Sequence, residues 1–241
     1  MIYKMSIIRS NIKLGNKFFK YRTYIPFLFI LPLLIISYIK PQFFFTTNNN
    51  WLVLCFFVTF IGQCIRMFTL GYTPRGTSGR NTGRQLANSL NTKGIYSIVR
   101  HPLYLGNYII WLGLLLFFYN IHAIIYVTFC FYFYYHKIML AEEDFLIKKF
   151  KNEYIDWASK VPTFLPNIFK YEKTKSKFNL KKVLFREYLN ITAIFISYTS
   201  ISVYTHHITK KENFIYINLN YVILFILLFF FIIRFFKKIK R

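Results

Sequence analysis

Long apolar runs broken by short basic stretches organise the 241-residue chain. Six segments carry the pattern: 24–39, 51–72, 103–118, 121–140, 188–206 and 214–233. The apolar residues come as continuous runs rather than as one-sided stripes, which is the pattern of bilayer-spanning helices. Pro26 and Pro32 predict a kink in the first run. The third and fourth are separated only by the stretch YNIH, so they form a tight antiparallel hairpin. The fold class expected is an all-α integral membrane bundle of about six transmembrane helices.

Composition agrees: 55% of residues are hydrophobic and 22% aromatic, more than a soluble domain of this size needs. The net charge of +24 first suggests a nucleic-acid partner, but its distribution argues against one. Of the 32 Lys and Arg, 28 fall in residues 1–22, 73–102, 137–187 and the C-terminal tail. Only Lys40, Lys210 and Lys211 fall in the alternate connections, and Arg66 lies inside a span. The positive-inside rule then places both termini and the two long polar segments in the cytoplasm. Seven of the eight acidic residues lie between 142 and 187, on the same side. The charge is mainly topological, and no nucleic-acid binding is expected.

Cys55, Cys64 and Cys130 lie inside predicted spans without paired spacing or histidine neighbours, and read as packing residues. No metal-ligand cluster is seen. The first 22 residues are basic and weakly amphipathic, and no cleavable signal peptide is expected.

The candidate chemistry gathers at the cytoplasmic mouth. In RHPLYLGN, Pro102 fits the first turn of a helix, which places His101 near the N-cap. That helix start, with Arg100 beside it, suits a carboxylate or phosphate. Tyr104, Asn107 and Trp111 share one face, and Gly106, Ile110 and Gly113 another that lets a neighbouring helix approach. At the end of the fourth run, Tyr132, Tyr135, Met139 and Glu142 form one stripe and His136, Met139 and Glu143 an overlapping one. Adjacent glutamates at the negative end of a helix gain by facing cations or hydroxyls. The plainer alternatives are a basic interface anchor and a solvated helix paired to Lys148 and Lys149. The tight hairpin brings the two stretches to one depth. An anion site beside a diacid site, roofed by aromatics, suits a zwitterion that carries a ribose and a purine, a description S-adenosylmethionine fits.

The motif G-x-Y-x-x-x-R-H-P-x-Y-x-G is carried by Gly94, Tyr96, Arg100, His101, Pro102, Tyr104 and Gly106. Glu142 and Glu143 follow, then Phe150, Tyr154 and Trp157, then Val161, Pro162, Phe164 and Pro166. This series of blocks resembles the membrane methyltransferases of the isoprenylcysteine carboxyl methyltransferase and phospholipid methyltransferase group, over roughly residues 60–166. GQCIRMFTLG is similar to a family helix in which a Trp is more usual near Met67 and Phe68, with Arg66 kept.

The resemblance implies a helical bundle with a cytosol-facing pocket for S-adenosylmethionine, held by the Arg-His-Pro and Glu-Glu blocks, and a lipid substrate entering from the bilayer. On this basis Arg100, His101, Tyr104, Gly106, Asn107, His136, Glu142 and Glu143 are expected to bind the cofactor. Arg66, a charge deep inside a span, and Arg84, from a glycine- and arginine-rich loop without acidic residues, are expected to align the acceptor. The loop arginines read equally as contacts to anionic headgroups. Three regions follow: 1–50, a basic segment and first span; 51–170, the methyltransferase core; and 171–241, an extension with two spans.

The expected activity is methyl transfer to an oxygen, carboxylate or phosphate, of a lipid or lipidated substrate. Phospholipid N-methylation and a non-catalytic lipid-binding scaffold are the alternatives. A transporter ranks lower, because no inverted repeat or acidic relay is seen. A bacterial inner membrane is the expected location, and no obligate protein partner is evident.

Overall fold

A computed structural model describes residues 2–45, 48–74, 76–77 and 85–239. Its elements in chain order are α1 (Ile2–Tyr21), α2 (Ile25–Leu28), α3 (Leu31–Ile39), α4 (Asn49–Tyr72), α5 (Pro102–Leu116), α6 (Ile121–Phe150), α7 (Asn152–Ala158), α8 (Leu180–Thr209), α9 (Phe214–Ile217) and α10 (Leu219–Ile239). Among the described residues no strand forms; one antiparallel bridge joins Gly94 and Glu172.

The helix starts follow local chemistry. Asn179 and Asn213 cap α8 and α9 by accepting backbone N–H bonds with their side chains. Pro26 occupies the first turn of α2, where no N–H is missed. The expected kinked first span is two short helices instead, separated at Phe29 and Ile30, with a 90° bend between Ile8–Tyr21 and Ile25–Ile39.

Among the described residues three helices, α4, α6 and α10, are long and apolar enough to cross a membrane, or four segments if the bent pair counts as one span. The expectation of six is therefore met only in part. Helix α5 is apolar but has 15 residues, a length of about 22 Å. Helix α8 has 30 residues but starts with a basic, polar turn and carries scattered hydroxyls and histidines.

The chain divides into two compact units. The first comprises Met1–Leu33, Tyr72–Leu105 and Ile125–Lys177. In it α1 lies against α6, where the Tyr134 hydroxyl donates to the Phe18 carbonyl at 2.8 Å and Lys137 donates to Asn11 at 2.7 Å. The second comprises Leu34–Gly71, Gly106–Ile124 and Phe178–Arg241. Its core is Leu52, Cys55, Ile110, Leu114, Phe117, Tyr198 and Ile215. The backbones of α4 and α5 approach closely there. A Cβ added at Gly113 would lie 2.1 Å from the Thr59 Oγ1 and 2.7 Å from the Cys55 carbonyl. Helix α10 packs on α8 through Tyr188–Phe230 and Phe195–Phe225, and turns Leu224, Leu228, Phe231 and Phe235 outward, as a lipid-facing helix does.

Candidate functional site

The site in the first unit starts with a glycine. Gly94 has φ +64° and ψ −134°, a conformation that costs any other residue strain. It begins a short segment laced to the chain after α7. Gly94 donates to the Glu172 carbonyl at 2.8 Å, the Ser97 hydroxyl donates to the Gly94 carbonyl, and Glu172 donates its N–H to Ser97. Trp157 donates its ring N–H to the Tyr96 carbonyl, Arg100 N–H to Pro162, and Asn167 N–H to Ile98. The Trp157 and Val-Pro blocks thus form a strap that sets the path of residues 94–101. No local signal in the sequence reveals this role, because the contacts are long-range bonds to backbone carbonyls that no periodicity shows.

The segment delivers His101 to the N-terminus of α5, where its carbonyl accepts from Leu105 at 3.1 Å. The imidazole is buried and each ring nitrogen faces a carboxylate. Nε2 is 3.0 Å from Glu143 and Nδ1 is 3.6 Å from Glu142. Tyr104 donates to Glu142 at 2.6 Å, Arg100 pairs with Glu143 at 2.9 Å, and Arg22 lies 3.8 Å from Glu142. Arg100 also donates to the Thr163 hydroxyl. Aromatic packing closes the cluster: Tyr104 lies 5.8 Å from the His101 ring and 5.0 Å from Tyr135.

Burial alone would push the His101 pKa down, but hydrogen bonds and charge from Glu142 and Glu143 outweigh it, and the net direction is up. The imidazole is therefore biased toward the cation, with Nε2 donating to Glu143 and Nδ1 facing Glu142. The Tyr154 hydroxyl is pushed up by burial and by Glu143 nearby, and stays a protonated donor. Arg100 Nε is buried without a hydrogen-bond partner.

The structure brings Arg100, His101, Tyr104, Glu142 and Glu143 together, as expected. Lys148 pairs with Asp144, and the glutamates face the histidine, arginines and tyrosine. His136 stacks on Tyr132, 5.6 Å between rings. Arg22 joins the cluster unforeseen, since nothing in the basic N-terminal run distinguishes it from its neighbours. Arg84, with Arg75 and Arg80, lies outside the described residues.

The second unit holds Arg66, Gly106 and Asn107. Arg66 forms a fork with the fully buried Glu187, Nε to Oε2 at 2.8 Å and Nη2 to Oε1 at 2.7 Å, and donates to Asn107. Gly106 leaves room for the arginine stem: a Cβ there would meet Arg66 Cγ at 2.6 Å. Glu187 follows Arg186 directly in the sequence. Its bond to Arg66 spans 121 residues of sequence and left no local trace.

Apolar spanning helices and a buried polar cluster define an integral membrane protein of the all-helical class. Residues 53–153 match the family model described as phospholipid methyltransferase, a membrane methyltransferase family. The match takes in Arg66, the Arg100–Asn107 stretch and both glutamates. It does not reach Arg22, Trp157 or Glu187. No curated protein and no solved structure matches the chain.

Proposed function

We propose that the chain is an S-adenosylmethionine-dependent methyltransferase acting on an oxygen of a bilayer-borne lipid or lipidated substrate. The observation that carries the reading is the pair Glu142 and Glu143 fixed by His101, Tyr104, Arg100 and Arg22. The donor set suits the cofactor. Carboxylates accept from an ammonium or ribose hydroxyls, and the unspent Arg100 Nε–H is a donor for a carboxylate. Gly106, Asn107 and His136 complete the proposed cofactor-binding set.

The bound cofactor supplies a methyl group on a positive sulfonium. The protein's task is alignment and exclusion of water. Methyl transfer to an oxygen anion joins a cation and an anion into neutral products, so a dry pocket favours it. The acceptor reading rests on residues 73–102, which hold five Lys or Arg and no Asp or Glu. In this reading Arg66 and Arg84 align the acceptor oxygen. An amine acceptor is the second reading, favoured by the carboxylate that cancels the Arg66 charge.

Labelled methyl transfer to an S-prenylcysteine carboxylate, phosphatidic acid and phosphatidylethanolamine, each in detergent, tests the two. The oxygen reading predicts label on one of the first two, released by base as methanol if it sits on the S-prenylcysteine ester and retained if it sits on the phosphate. Base-stable label confined to phosphatidylethanolamine would replace it with the amine reading.

A further inference from the structure

We propose that Glu187, on α8 and outside the matched family segment, is a positioning residue for methyl transfer: it fixes the Arg66 guanidinium and cancels its charge. The proposal rests on the reading of Arg66 as the acceptor-aligning arginine.

Glu187 is fully buried, and a buried carboxylate needs every oxygen partnered. It has those partners. Arg66 grips both oxygens, and Gln63 donates to Oε2 at 3.1 Å. Asn190, one turn along α8, donates to the Gln63 carbonyl oxygen at 2.7 Å and lies 3.4 Å from Glu187 Oε2. On the far side of the guanidinium, Asn107 accepts from Nη1. Four side chains from α4, α5 and α8 thus hold one planar group in one orientation.

The donor count shows what is left. A guanidinium has five N–H bonds. Three go to Glu187 and Asn107, which leaves one on Nη1 and one on Nη2. Arg66 thus presents two oriented donors of a neutralised pair, and not a free cation. Such a group aligns an acceptor oxygen without holding an anion so tightly that its nucleophilicity is spent. Gly106 belongs to the same device, because a side chain there would displace the Arg66 stem.

The rival reading is a buried ion pair that only ties α8 to α4. The two differ in a double substitution. Removing one partner strands a buried charge, whereas replacing both by neutral groups of similar shape restores folding. The test therefore uses the full-length protein in detergent, with E187D, E187Q and R66Q/E187Q. S-adenosylmethionine calorimetry and thermal melting accompany the kcat and KM for whichever of the three acceptors wild type methylates fastest.

The expected result is a double variant that melts cooperatively and binds S-adenosylmethionine within about twofold of wild type, with kcat down about 10-fold or more, the scale of one lost charge-assisted alignment. E187Q lowers kcat while leaving unchanged or lowering KM for an anionic acceptor, since it unmasks the cation. E187D recovers part of the rate. A double variant with wild-type kcat and KM would reduce the pair to a structural tie and overturn the assignment. So would a double variant that fails to melt cooperatively. Absence of both cofactor binding and transfer in wild type would instead remove the methyltransferase reading, and the role of Glu187 with it. That outcome is distinguishable because it precedes any variant.

Discussion

His101 lies between two carboxylates in a setting where burial and hydrogen bonding oppose each other, and the carboxylates win. Its charged form is thereby stabilised by folding. A group whose folded pKa is raised contributes stability that is fully present below its unfolded value, near 6.5, and is lost as pH rises through the folded value. The melting temperature is therefore expected to decline as pH is taken upward from about 6.5, and His101→Gln to flatten that decline. Equal slopes in the two proteins would deny the imidazolium. The cluster was legible in the sequence because Pro102 marks a helix start and a short hairpin brings the two motifs to one level. Arg22 and Glu187 were not, because each reaches its partner across more than a hundred residues with no periodic signal.

At the scale of elements, the apolar runs located the helices well but not their integrity. Residues 24–39 read as one kinked span and form two helices, because Pro32 removes an N–H at the start of α3 just after α2 has ended. Helix α5 depends on close approach to α4. Gly113→Val places a side chain against the Thr59 hydroxyl and the Cys55 backbone, which cannot both retreat. It is expected to cost about 1–3 kcal/mol, read as a lower melting temperature. The junction of α6 and α7 works the other way. Lys151 has φ +49° and ψ −123°, a conformation suited to glycine. Lys151→Gly is expected to relieve about 1 kcal/mol of strain and raise the melting temperature. An unchanged or lower value would show that the backbone there carries no such strain.

At the scale of the molecule, the basic residues divide as 28 against three along the chain, which predicts the topology directly. In a background with Cys55, Cys64 and Cys130 replaced, single cysteines at Lys93 and Lys237 should react with an impermeant maleimide only from the cytoplasmic side. Cysteines at Lys40 and Lys210 should react only from the opposite side. Labelling of Lys40 and Lys237 positions from the same side would break the arrangement. The apolar helices fit an integral membrane protein, and residues 53–153 match a phospholipid methyltransferase family model. What the polar cluster of the first unit binds decides the function, and one measurement reaches it directly: calorimetry of S-adenosylmethionine binding to wild type and to His101→Ala, Glu142→Ala and Glu143→Ala. Micromolar binding by wild type is expected, with a loss of about 10-fold or more in each variant, the scale of one hydrogen bond to a charged group. A well-folded wild type that does not bind, or variants that bind as tightly as wild type, would contradict it.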